Sequence, residues 1–458
     1  MLYLTEKMQA TGDIRLENES IRQLFHSFTM RTATLSLAPG EKNTLVFGKA
    51  EIPTLSADAE YAYRVTREGA SLVGADYNGL VRGLFDLLMQ IEWKDASGKL
   101  FIRRTEKTGV FSIKNRMVHF CVFPETPLLY LKKLIRFAAA LQFTHVILEF
   151  WGMLRYDTLP ALAWENAYTK EEIREVIREM RELGVEPIPM LNSLGHASQS
   201  RGCSGKHAVL DRDPSLYRLY LPDGGSWNTE SPEVRELLKK LRLELYDLFG
   251  DGEYFHLGLD ESYMHAKNPE LFRYVPEYLS YLTKEVCAEG RRPMIWMDMF
   301  LPVEAYTNVS HLECTKLDGE RFRDLLSSIS PDTVLVDWQY FVRQSPISTS
   351  AYLKDSGFAV MGAPWLDGEN GVAHIETVKQ YGLHGVMLTT WHTVSTELSK
   401  ILYFARHFGA AKAPWSDFAV LDNETGTLLR KLTWEDVTYA ETGWQSYQTH
   451  IGPVAYVV

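Results

Sequence analysis

An aspartate and a glutamate stand side by side where a short apolar run ends, in Tyr254-Phe255-His256-Leu257-Gly258-Leu259-Asp260-Glu261-Ser262. The run reads as a buried strand, and both carboxylates fall where it meets a loop. Carboxylates near apolar surface are costly without partners, and burial beside a second negative charge raises their pKa. Paired carboxylates are the usual means of splitting glycosidic bonds. The plainer reading is a solvated loop start, with Asp260 capping the next segment.

The elements around the pair favour chemistry. From about residue 112 the chain alternates strand and helix. Eight candidate strands run over Asn115–Val122, Thr144–Phe150, Glu186–Leu191, Tyr254–Leu259, Met294–Asp298, Thr333–Trp338, Ala359–Pro364 and Gly385–Trp391. Thr169-Lys170-Glu171-Glu172 is a capping box opening a helix that Gly184 can close. Ser231-Pro232 and Asn268-Pro269 open two more, with proline at the first helical position. Eight such units imply a closed (β/α)8 TIM barrel of class α/β, whose reactive face lies at the carboxyl ends of its strands. An open doubly wound sheet is the competing architecture, but no glycine-rich phosphate turn follows the first strand.

The strand ends share a character. Trp151, Trp296, Trp338, Trp365 and Trp391 fall at five of them, from only 11 tryptophans in the chain. Single tryptophans are more often core residues. Recurrence at one class of position points instead to aromatic walls, which suit the C–H faces of sugars.

Residues 1–110 read as a small α+β domain ahead of the barrel at 111–412. Within it Gly79 and Gly83 lie four apart, giving a helix a bare face for close approach to a sheet. Residues 413–458, with Trp415, Trp434 and Trp444, form an extension expected to pack on the barrel or on a partner subunit.

Net charge is −11 over 458 residues. That balance disfavours nucleic acid and anionic membranes as partners. No apolar stretch reaches the ~18 residues of a membrane span. The first residues lack the basic and apolar regions of a secretory signal. Cys121, Cys203, Cys287 and Cys314 have no close spacing. Free thiols and a cytoplasmic location are the expectation.

The motifs together resemble glycoside hydrolase family 20, the β-N-acetylhexosaminidases, over roughly residues 55–410. That family's His-x-Gly-Gly-Asp-Glu stands here as His256 to Glu261. Its strand 3 turn, ending Gly-His-Ala, resembles Ile188 to Ala197, and its Ala-Pro-Trp turn resembles Ala363-Pro364-Trp365. The resemblance implies an exo-acting hydrolase of terminal β-linked N-acetylhexosamines, working with retention through an oxazolinium intermediate. The substrate's own 2-acetamido oxygen is the nucleophile, so no cofactor and no metal are expected. Glu261 would be the acid and base, Asp260 would hold the acetamide, and His196 would support the acid. Trp391 would floor the sugar, Trp296 and Trp338 would wall the acetamide methyl, and Asp367 would reach hydroxyls.

Three departures stand out. The family's strand 1 Asp-x-x-Arg is Cys121-Val122-Phe123-Pro124 here, and Arg116 at the start of that strand reads as structural. The strand 8 Trp-Gly-Glu is Trp391-His392-Thr393, and the acetamide-binding tyrosine is Leu366. Tyr340 could supply a hydroxyl instead, and Glu149 could replace lost sugar contacts, with Tyr156 matching a tyrosine of a divergent branch. Recognition of the ring hydroxyls is thus rebuilt around a retained Asp-Glu pair. Two other readings remain open. One is a carbohydrate-binding protein without turnover. The other is a metal-dependent barrel hydrolase drawing on His196, His256, Asp260, Glu261, Asp298 and His392, although no His-x-His or His-x-x-x-His pair occurs. A homodimer is a further expectation.

Overall fold

The computed structural model describes residues 1–94, 99–198, 209–309, 317–365, 367–391, 398–409 and 418–434. Eight parallel strands close into a barrel in sequence order. They are strand 1 Asn115–Val122, strand 2 His145–Phe150, strand 3 Glu186–Met190, strand 4 Tyr254–His256, strand 5 Arg292–Trp296, strand 6 Val334–Trp338, strand 7 Ala359–Ala363 and strand 8 Gly385–Thr389. Strand 1 pairs with strand 8, with Asn115 opposite Gly385, and this closes the ring.

The barrel interior is filled by Met117, Ile147, Ile188, Met294, Val334, Val336, Met361 and Met387, topped by Trp296, Trp338 and Tyr340. These are alternate residues of their strands, as the two-residue period of a strand requires. Large unbranched and β-branched groups make this a packed core rather than a pore.

Several strands end earlier than their apolar runs suggest. Strand 4 stops at His256 because Gly258 and Leu259 turn to φ +68° and +83°, off the ladder. Strand 8 stops at Thr389, and Trp391 takes φ +44°. The apolar residues beyond each strand are buried by loops, so hydrophobicity alone overstates strand length.

The expected capping box forms at Thr169, opening the helix Lys170–Glu182, and Gly184 follows it at φ +72°. Ser231 precedes the helix Pro232–Phe249. The helix expected from Asn268-Pro269 is interrupted: Pro269–Phe272 is one turn, and the long helix is Val275–Ala288. Pro276 lacks an N–H and its ring would clash with the carbonyl four residues back, so the helix restarts there.

Ahead of the barrel, a six-stranded sheet carries the helices Glu19–Phe28 and Tyr77–Met89. A Cβ at Gly79 would stand 2.2 Å from the Glu60 carbonyl oxygen, and one at Gly83 would stand 2.6 Å from Leu72 Cδ1. The bare helix face is therefore required. Arg116, fully buried at the start of strand 1, makes a two-pronged ion pair with Glu60 at 2.7 and 2.8 Å, and Arg82 joins the same carboxylate at 2.6 Å. Arg116 is thus a structural bolt between sheet and barrel. At the far end of the chain, the helix Phe418–Lys431 packs on the helices Leu398–Ala405 and Leu128–Ala140. The Arg136 guanidinium lies 3.9 Å from the ring centre of Trp434. Trp415 and Trp444 lie outside the described residues, as do Cys203, Cys314, Leu366, His392 and Thr393.

Candidate active site

Asp260 and Glu261 leave the end of strand 4 in a loop held by its neighbours. Asn192, at the end of strand 3, donates its side-chain N–H to Asp260 Oδ1 at 2.9 Å. His196 Nε2 meets Glu261 Oε2 at 2.8 Å and stands 3.7 Å from Asp260 Oδ2. The Glu261 backbone N–H donates to Asp298 Oδ2 at 3.1 Å, and Trp338 Nε1–H donates to Asp298 Oδ1 at 3.0 Å. Strands 3 and 4 each lead into two members of this network, Asn192 with His196 and Asp260 with Glu261, and strands 5 and 6 supply Asp298 and Trp338. Asp260 caps no helix, because the turn that follows, Tyr263–Lys267, starts from Ser262.

Close approach between the loops explains the glycines. A Cβ on Gly195 would lie 2.1 Å from the Asp260 carbonyl oxygen and 2.7 Å from the Ser262 nitrogen. A Cβ on Gly258 would lie 3.0 Å from Asn192 Cα. His256 is buried beneath the loop, where its Nδ1 accepts the Gly258 N–H at 3.1 Å. Strain gathers at the same place. His196, Leu259, Glu261 and Trp391 all have left-handed backbones, at φ +50°, +83°, +43° and +44°. Such residues cost about 1–3 kcal/mol each and persist where surrounding structure over-determines them.

Asp260 is 4% exposed, and the Glu261 side chain is 29% exposed, so only the glutamate reaches toward solvent. Three carboxylates share the loop. Burial of Asp298, with added repulsion from Asp260 and Glu261, pushes its pKa up to about 7. Asp298 is thereby biased toward its neutral form, which lessens the negative charge beside the pair. His196 Nε2 can donate to an ionised Glu261 or accept the O–H of a protonated one, so the contact survives a proton leaving and returning.

Aromatic rings line the neighbouring strand ends. Tyr340 stacks on Trp338 with centroids 4.7 Å apart and meets Trp365 edge-on at 5.2 Å. Trp391 Nε1–H donates to the Tyr340 hydroxyl at 2.9 Å. Trp391 lies 5.9 Å from Trp296, which is fully buried in the inner core. Trp365 and Trp391 are half-buried. Asp367 caps the helix Gly368–Tyr381 through the Asn370 N–H at 2.7 Å and pairs with Arg343 at 2.9 Å. Its carboxylate is thus already committed to two partners. Glu149, at the end of strand 2, is buried and accepts Trp151 Nε1–H at 3.1 Å. Tyr156 is buried further along the same loop. Asn192 and Asp298 were legible as strand ends, yet nothing in their spacing singled them out as the groups that hold Asp260 and Glu261.

A closed parallel barrel bearing a carboxylate-centred, aromatic-walled site at its carboxyl face is the class these features define. The family model described as glycosyl hydrolase family 20, catalytic domain, matches residues 144–313. The chain is 21% identical over 371 residues to the beta-hexosaminidase subunit alpha of Bos taurus, covering 71% of this chain and 62% of that protein. It is 27% identical over 103 residues to the chitooligosaccharidolytic beta-N-acetylglucosaminidase of Bombyx mori, covering 22% and 17%. The chain thus spans about three fifths of the length of the bovine relative. In fold, it is similar to the beta-N-acetylhexosaminidase from Bacteroides fragilis, with TM-score 0.67 at 15% identity over 96% of this chain and 95% of that one. The exo beta-N-acetylglucosaminidase of Vibrio harveyi gives TM-score 0.66 at 15% identity, over 94% and 75%. Over residues 144–313, which hold strands 2 to 5 and the Asp260-Glu261 pair, the chain is thus similar to the catalytic domain of glycosyl hydrolase family 20.

Proposed function

We propose that the protein is an exo-acting β-N-acetylhexosaminidase that removes terminal β-linked N-acetylhexosamines with retention. The observation that carries this reading is the Asp260-Glu261 pair, with Asn192 on the first carboxylate and His196 on the second. Glu261 protonates the departing oxygen while the substrate's acetamide oxygen attacks the anomeric carbon. Asp260, steadied by Asn192, accepts the acetamide N–H and offsets the positive charge of the cyclised intermediate. Glu261 then takes a proton from the water that opens the ring. Trp391, Tyr340 and Trp365 offer faces for the sugar, and Tyr340 offers a hydroxyl in place of the family's tyrosine. No metal takes part in these steps.

Hydrolysis of nitrophenyl β-N-acetylglucosaminide and β-N-acetylgalactosaminide tests the reading, with NMR detection of the first anomer released. The β-anomer is expected, with no turnover of the corresponding glucoside, which lacks the internal nucleophile. The lost strand 1 arginine motivates one rival, a sugar-binding protein without turnover. Binding of the sugar with no release of nitrophenol would favour that rival.

A further inference from the structure

Beside Trp296 and Trp391, strands 1 and 2 bring together three groups that the hydrolytic scheme does not use as a set. His119 and Cys121 are two apart on strand 1, so both face the barrel interior, and Cys121 lies in register with Glu149 on strand 2. All three are buried. His119 Nε2 and Glu149 Oε2 are 3.0 Å apart, Cys121 Sγ and Glu149 Oε2 are 3.5 Å apart, and Cys121 Sγ and His119 Nε2 are 3.9 Å apart. We propose that His119, Cys121 and Glu149 form a three-ligand Zn2+ site inside the barrel.

The triangle has the right size. Tetrahedral zinc with Zn–N, Zn–O and Zn–S bonds of about 2.0–2.3 Å separates its ligand atoms by roughly 3.3–3.6 Å. The three measured edges bracket that range, so side-chain shifts of a few tenths of an ångström would close it.

Charge also favours the ion. A zinc ion, one thiolate, one carboxylate and one neutral imidazole sum to zero, which is the balance a buried site requires. Cys121 gives up its proton to solvent as the metal binds, as does Glu149 wherever it holds one, and His119 binds through Nε2.

The hydrogen bonds alone leave the cluster crowded. Glu149 Oε2 faces His119 at 3.0 Å, Trp151 Nε1–H at 3.1 Å and the Cys121 thiol at 3.5 Å. In the tautomer that carries its proton on His119 Nε2, that is three donors on the two lone pairs of one oxygen. With zinc in place, one lone pair takes the metal and the other keeps the indole, which then orients the ligand from outside. The His119 ring is wedged edge-on against Trp391 at 4.9 Å and Trp296 at 6.3 Å, so its direction is set by packing. Three protein ligands leave a fourth position open. The site would brace Trp391 through the His119 ring, and its existence does not depend on hydrolysis.

The test uses the full chain, stripped of metal by a chelator under reducing conditions and titrated with Co2+. A thiolate-to-cobalt charge-transfer band should grow to saturation near one equivalent and vanish when Zn2+ is added. Cys121→Ser should abolish the band. Glu149→Gln should keep the thiolate but weaken Zn2+ binding by more than the roughly 10–100-fold that losing an outer-shell partner costs. No band in the wild-type protein overturns the proposal, as does an undiminished band in Cys121→Ser, which would place the thiolate elsewhere. Should Cys121→Ser fail to fold, Zn2+ affinity unchanged in Glu149→Gln overturns it equally.

Discussion

The backbone N–H of Glu261 is held at 3.1 Å by a carboxylate oxygen of Asp298, a residue from the next strand of the barrel. The contact fixes the left-handed turn that aims Glu261, and it makes one acid the anchor of another. Because Asp298 is buried beside two further carboxylates, the anchor itself titrates near neutrality.

That titration has a sign. A carboxyl whose folded pKa lies above its unfolded value favours folding at low pH. The contribution is full below about 3.8 and is lost as pH rises through about 7. Asp298→Asn removes the dependence. Melting temperatures at pH 4.5 and 7.5 should therefore differ more in the wild-type protein than in Asp298→Asn. Equal differences would sink the assignment.

Glu261→Gln should lower turnover of nitrophenyl substrates by about 10²–10⁴, the usual worth of a general acid. The loss should shrink as the leaving group improves, since a good leaving group needs less protonation. A uniform loss across a series of leaving groups would argue against the acid role.

Under the proposed mechanism, Asp260→Asn should depress kcat more than it raises KM, because the charge it would steady appears only after attack by the acetamide. Asn192→Ala should follow the same pattern more weakly, as it frees one oxygen of the same carboxylate. Steady-state kinetics on both variants provide the check, and full turnover in Asp260→Asn would contradict the mechanism.

Gly195→Ala places a methyl 2.1 Å from the Asp260 carbonyl oxygen, which is backbone and cannot swing aside. We expect a loss of about 1–3 kcal/mol in stability, typical of overpacking. Activity should fall at least as steeply, because the methyl pushes directly on the loop bearing the acid. A variant with unchanged melting temperature and unchanged rate would show that the loops have room to part.

Much of this architecture was legible in the chain. The barrel followed from eight alternating units, and the acid pair from its place after an apolar run. Gly79, Gly83 and the capping box at Thr169 behaved as their chemistry demands. Strand ends were overread at Leu259 and Trp391, where buried loop residues are as apolar as strand residues. The helix expected after Asn268 broke at Pro276, whose veto is local while hydrophobic period is not. The contacts of Asn192 and Asp298 with the acid pair, and the approach of Glu149 to His119 and Cys121, were hidden because they are made between different strands. No spacing along one segment encodes a contact made across the barrel.

Arg116 carries a last consequence. Its guanidinium is buried, and the only carboxylate it is seen to pair with among the described residues is Glu60, in the preceding sheet. A truncated protein beginning at strand 1 would keep the cation and lose both its counter-charge on Glu60 and the Phe111 ring that lies 4.0 Å from it. The barrel is therefore not a portable module: transplanted without its companion sheet, it would carry a defect at its own foundation.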